Sequence, residues 1–297
     1  MAPRTPALAA LLTAAAIAAY LLWPHTRTSS HPSPNHVAQP KKPNASSTPA
    51  QHAPSNPRLA APHRAPTLFP TGQAFQALKQ RARQGDPKAQ RELAQIYDVC
   101  YMANFSPETF MEDQAVKARM MQSAEDAERL IRLSQTLADN CREVDGGVMI
   151  PLQQMLGWYA QAAENGDLAA TAMHYAIGGK NPSSVERQAL VEAVIASGDP
   201  AAVFMLGNAA PPELMQATGG ASDDADKQLT SNAWMIVGCE MGYPCDASSL
   251  AMVHFCTHAG YCKGGTFEDM VRSYDGPVSD PERLDAKIEQ ISRLLNP

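Results

Sequence analysis

No aspartate or glutamate occurs in the first 70 of the 297 residues, and no cysteine before Cys100. The first absence excludes carboxylate chemistry from that stretch, and the second excludes a lipid-attachment cysteine behind the N-terminus. Between Pro24 and Pro70 large apolar side chains are scarce, whereas 11 of the 47 residues are proline. Such a segment cannot bury a core and is expected to be a disordered, semi-extended linker. Further along, alternating β-branched runs that would signal strands are nearly missing. Also missing are a Gly-x-Ser-x-Gly elbow, a His-Glu-x-x-His pair, a phosphate-cradling glycine loop and a dinucleotide fingerprint. No enzyme activity and no cofactor is therefore expected.

What is present divides the chain in three. Ala7 to Trp23 is an uncharged run that spans roughly 25 Å as a helix, just enough to cross a bilayer. Its small-residue triplets lie inside the run, and Trp23 stands at its end, so 1–23 reads as an uncleaved signal anchor. The spacer 24–70 would hold the remainder clear of the membrane. Residues 71–297 carry 18 basic and all 30 acidic residues, a formal charge of −12, which repels nucleic acid and anionic lipid. Membrane contact is thus expected through the anchor only. The Ala and Pro content suggests a GC-rich bacterium, with the folded part in the periplasm beneath an inner-membrane helix; cleavage would leave it soluble in the periplasm or secreted.

In 71–297 one phrase recurs. Ala82-Arg83-Gln84-Gly85-Asp86-Pro87, Ala163-Glu164-Asn165-Gly166-Asp167-Leu168 and Ile195-Ala196-Ser197-Gly198-Asp199-Pro200 each read as a helical corner. Glycine past a helix end adopts the left-handed conformation, and the following Asp caps the next helix. Proline at the first helical position costs no hydrogen bond. Four residues past each glycine stands alanine (Ala89, Ala170, Ala202), where two helices would cross closely. Further helix starts are expected at Ser106-Pro107-Glu108, Ser222-Asp223-Asp224, Thr266 with Asp269, and Asp280-Pro281-Glu282. Leu284, Ile288, Ile291 and Leu295 give the last segment one apolar face, suited to a capping helix. Pro107 to Asn140 reads as one or two amphipathic helices burying Phe110, Val116, Met120, Leu130, Ile131 and Leu137.

Two similar cysteine phrases follow, Cys239-Glu240-Met241-Gly242-Tyr243-Pro244-Cys245 and Cys256-Thr257-His258-Ala259-Gly260-Tyr261-Cys262. The spacing lets a local bridge close each corner, which is one of 15 ways to pair six cysteines. The even count behind an export segment fits an oxidising compartment. A competing reading takes His254, Cys256, His258 and Cys262 as metal ligands, with Met235, Met241 and Met252 as soft donors for copper(I), or without them zinc. Oxidised thiols would remove that option, so no metal is expected. His174 stands where Leu93 and Leu206 stand after their glycines and is expected to pack. No Asp or Glu sits in an apolar setting that would mark a raised pKa, and the acidic run Asp223, Asp224 and Asp226 is expected to serve a helix start.

The clearest corner, Trp158-Tyr159-Ala160-Gln161-Ala162-Ala163-Glu164-Asn165-Gly166-Asp167 with Ala170 and Tyr175, resembles the Sel-one-like repeat, a relative of the tetratricopeptide repeat. Trp158 and Trp234 stand eight residues before Gly166 and Gly242, a packing position in that family. The resemblance implies an all-α, irregular α-solenoid of helical hairpins, irregular because the glycines at 85, 166, 198 and 242 are unevenly spaced. Disulfide-bearing members carry intra-repeat bridges, which implies the pairs Cys239–Cys245 and Cys256–Cys262 and leaves Cys100 with Cys141. It also implies a protein-interaction or envelope-binding scaffold whose partner is an unidentified protein or cell-envelope component. An envelope enzyme acting on a peptidoglycan-like polymer, or a steric folding chaperone, is the alternative.

Overall fold

A computed structural model describes residues 68–178, 181–218, 223–273 and 280–296. The anchor expected over 1–23 and nearly all of the spacer lie outside these residues. Among the described residues there are thirteen α-helices and no strand, and no helix is long and apolar enough to cross a membrane.

The recurring corners build the framework. α1 (Gly72–Arg83) and α2 (Pro87–Phe105) meet at Gly85, α5 (Leu152–Glu164) and α6 (Leu168–Ala176) at Gly166, and α7 (Ser184–Ser197) and α8 (Pro200–Ala209) at Gly198. The three glycines have φ of +88°, +89° and +60°, a region that disfavours any side chain. One residue later Asp86, Asp167 and Asp199 accept the amides of Ala89, Ala170 and Ala201 at 3.1, 2.7 and 2.9 Å. Ala89, Ala170 and Ala202 are fully buried.

The position eight before the glycine is less uniform than the tryptophans suggest. Trp234 and Leu190 are buried there, Trp158 is half-buried against the core, and Ala77 is exposed. The position that faces inward in every copy is one residue later, at Leu78, Tyr159, Val191 and Met235.

α1, α2, α5, α6, α8, α10 (Asp224–Glu240) and α13 (Pro281–Leu295) pack in that order, each against the next, with α9 (Pro212–Ala217) against α7. Between α8 and α10 the backbones come unusually close. A Cβ on Gly238 would lie 2.8 Å from the Phe204 nitrogen, and one on Gly207 would lie 2.9 Å from the Met235 nitrogen. Ser231 Oγ donates to the Gly207 carbonyl at 2.7 Å across the same seam. The far face of α10 is covered by α13 through Leu284, Ile291 and Leu295. There Arg283 and Lys287 reach the buried Asp226 at 2.8 and 3.0 Å, Asp224 pairs with Lys227 and Asp223 caps α10 through the Asp226 amide, so each acidic residue of that cluster serves the helix start or its packing.

α3 (Pro107–Met120) and α4 (Ala124–Cys141) leave the framework after α2 and return to it. The end of α4 is fastened to α2 by the Cys100–Cys141 disulfide and by Asn104 Nδ2, which donates to the Cys141 carbonyl at 3.0 Å. The Leu68 amide donates to Asn140 Oδ1 at 2.8 Å and Phe69 is buried, so packing reaches just into the segment read as spacer. Phe110, Leu130 and Leu137 are buried as expected, and Ile131 is half-buried. Val116 and Met120 are not buried: they are 45% and 79% exposed. The buried side of α3 carries Phe110 and Gln114, and a helical step of about 100° per residue turns 116 and 120 to the other, more exposed side.

The other end of α4 meets α11 (Leu250–Ala259), where Leu130 packs on Cys256 and Cys262. Arg129 Nη2 donates to the Ala247 carbonyl at 3.0 Å, and Lys117 Nζ to the Thr257 carbonyl at 2.8 Å. α12 (Phe267–Arg272) then packs beside α10 behind a Thr266/Asp269 capping box.

Candidate functional site

The inner helices of the corners and α11 border a half-open cavity of about 560 Å³, a size common for ligand sites. One wall is the face of α2 that carries Lys88, Arg91, Glu92, Gln95 and Asp98, a polar stripe at helical spacing. Opposite stand Phe204 and Met205 of α8 and Leu250, His254 and Phe255 of α11. The caps Asp167 and Asp199 and the turn glycine Gly242 also line it. The corners at Gly166, Gly198 and Gly242 therefore border one half-open volume. No serine, threonine or cysteine is among the described lining residues.

Arg91 is the least satisfied group in this wall. Its side chain is 9% exposed, its Nε lies 3.6 Å from Asp167 Oδ2, and Nη1 has no hydrogen-bond partner. An orphaned buried donor costs about 1–3 kcal/mol. Asp167 is held above the usual carboxylate range by burial, although Arg91 opposes the shift, and its Oδ1 is committed to the Ala170 amide. Tyr243 stacks on Phe204 with centroids 4.2 Å apart and bonds to the Gln95 side chain; burial pushes its hydroxyl up to about 12. The Tyr159 hydroxyl is raised further by burial and then by the Asp98 charge.

Asp98 corrects the expectation that no carboxyl sits in an apolar setting. Burial raises its pKa, with His258 pulling the other way. Its seclusion comes from the tertiary fold, yet a local sign existed: it stands between Tyr97 and Val99, both buried, on a largely buried helix.

Beside it His254 and His258 stack with centroids 4.1 Å apart and planes at 15°. Burial pushes His258 down to about 4, helped by His254 and by Lys117 of α3, while Asp98 of α2 draws it back up. The folded chain keeps His258 neutral where an unfolded imidazole, near 6.5, is already protonated. The unfolded state then binds more protons, so stability falls as pH falls through this window. Going from pH 7 to pH 5 is expected to cost the wild type about 2 kcal/mol more than it costs His258→Gln. Urea unfolding of both at the two pH values checks this, and parallel losses would refute it.

The cysteines form Cys100–Cys141, Cys239–Cys245 and Cys256–Cys262 bridges, with Cα separations of 5.4, 5.6 and 4.4 Å, and no cysteine is left free. The short bridges span the corners at Gly242 and Gly260, both at positive φ. The candidate ligand set His254, Cys256, His258 and Cys262 thereby loses both thiols, and no metal-holding group of three or more His, Cys, Asp or Glu occurs among the described residues. His174 is half-buried on α6.

Neither a family model nor a curated protein nor a solved structure matches the chain.

Proposed function

We propose that this chain is an exported, membrane-tethered helical-repeat protein that binds a partner protein or cell-envelope component at the cavity between α2, α8 and α11. The single observation that carries this reading is the composition of that cavity: a polar stripe with an unsatisfied guanidinium facing an aromatic and aliphatic wall. A group with spare hydrogen-bonding capacity opposite apolar surface is what a recognition site needs. The recurring Gly-Asp corners support a Sel-one-like solenoid as the scaffold. Three disulfides support export, because such bonds persist in oxidising compartments. The uncharged run 7–23 and the Pro-rich spacer supply the tether.

A photo-crosslinking amino acid placed at Asn208, at the exposed rim of the cavity, is expected to yield a discrete adduct in intact cells that Leu250→Trp abolishes. The same probe at the exposed Glu112 of α3 is expected to yield none. Equal adducts at both positions, or none at Asn208, would overturn the assignment of the cavity as the binding face.

A further inference from the structure

The cavity holds two charges of opposite sign that the fold leaves incompletely answered, and both project from the same helix. Arg91 has a side chain nine-tenths buried, with Nη1 lacking any acceptor and Nε beyond hydrogen-bond reach of Asp167. Asp167 caps α6 through Oδ1 and faces Arg91 with Oδ2, which leaves Nη1 unanswered. Asp98 lines the same cavity and accepts no hydrogen bond among the described residues; the titratable group beside it is His258, which burial disfavours in its charged form. The two residues are seven apart in α2, a rise of about 10 Å along its axis. Gln95 lies between them, tied to Tyr243, and Phe204, Met205 and Phe255 form the wall they face.

These groups together restrict the ligand. A simple anion would answer Arg91, with Lys88 nearby, but meet four carboxylates, Glu92, Asp98, Asp167 and Asp199, in the same cavity. A simple cation would answer Asp98 and leave Nη1 of Arg91 without an acceptor. Phosphate-rich ligands also face the −12 formal charge of residues 71–297. A ligand with a carboxylate at one end and an ammonium about 10 Å away satisfies both, and an extended tripeptide has that span. The planar guanidinium suits a carboxylate, and its flexible stem lets Nη1 turn toward an acceptor that enters.

Resting on the proposal that the cavity is a binding face, we infer that its ligand is a short zwitterionic peptide, or a peptide end with a nearby basic group, whose carboxylate docks on Arg91 and whose ammonium docks on Asp98. An apolar middle side chain packs on Phe204, Met205 and Phe255.

The test is calorimetric titration of the full chain in detergent with Ala-Phe-Ala, its C-terminal amide and its N-acetyl form. The free-ended tripeptide is expected to bind, and each blocked form to bind at least tenfold more weakly. Arg91→Gln should abolish the preference for the free carboxylate and keep that for the free amine; Asp98→Asn should do the reverse. If circular dichroism shows that Arg91→Gln does not fold, Arg91→Lys replaces it, and the three peptides on the wild type still decide. Equal binding of all three, sensitivity to one end only, or no binding overturns the two-ended ligand. None of these results touches the Asn208 adduct, which decides separately whether the cavity is a binding face.

Discussion

Replacing Cys100 and Cys141 together by alanine lowers the unfolding free energy by about 4 kcal/mol, nearly twice the roughly 2 kcal/mol expected from opening either short bridge. The difference follows from the loops closed: 41 residues of separation against 6. A longer loop restricts more of the unfolded chain. Alanine avoids placing an unanswered hydroxyl where both sulfurs are fully buried. The bridge is the covalent fastening between α2 and the end of α4, so its loss also loosens the neighbouring hydrogen bonds of Asn104 and Asn140. Urea unfolding of oxidised wild type and the double variant measures the effect. A loss below about 1 kcal/mol would mean that packing alone holds α4, and that the unfolded chain gains little freedom when the bond is absent.

A side chain at Gly238 is expected to be equally disruptive for a reason that involves no covalent bond. A Cβ there meets backbone, the Phe204 nitrogen at 2.8 Å and its Cα at 2.9 Å, and backbone cannot rotate away. Gly238→Ala sets a helix-propensity gain of about 1 kcal/mol against overpacking of about 1–3 kcal/mol or more, so a net loss is expected. Gly238→Val adds two methyl groups and β-branching, and its loss should exceed about 3 kcal/mol. Gly157 supplies the control. It lies within α5 with nothing inside 4 Å of a built Cβ, so Gly157→Ala should stabilise by up to about 1 kcal/mol. Because Phe204 is also a cavity wall and the stacking partner of Tyr243, Gly238→Val should weaken ligand binding as well. Thermal unfolding of the three variants checks the ordering, and a neutral Gly238→Val would show that α8 and α10 can part freely.

Features that depend on a few consecutive residues were legible in the amino-acid order. The Gly-Asp corners, the buried alanines four residues on and the apolar face of α13 all follow from caps and helical spacing. Whatever depends on which helix lies opposite was not. Val116 and Met120 form a stripe by periodicity, but among the described residues the stripe stays exposed. Gly207 and Gly238 look like ordinary helix-weakening residues until α8 and α10 are seen to touch through them. Asp98 becomes secluded through the packing of α11, far along the chain. Of the site, the caps Asp167 and Asp199 were recognised as turn residues and not as cavity lining. The polar stripe from Lys88 to Asp98 was open to inspection, since five polar residues share one face of a helix whose other faces are apolar. Nothing local tells such a stripe from a solvated surface.

The contact of α3 and α4 with the α11 region governs the order in which this chain can acquire its structure. In a stack whose units touch only their neighbours, folding can begin anywhere and proceed outward during synthesis. Here Lys117 waits for the carbonyl of Thr257, 140 residues later, and Arg129 for that of Ala247, 118 later. Contacts of that reach are slow to form, since the intervening chain must be closed into a loop before they contribute. Leu130 meanwhile remains without the Cys256 and Cys262 surface that covers it. A chain halted after α8 therefore carries bare apolar surface on its earliest helices, and the fold is completed only when nearly its whole length has emerged.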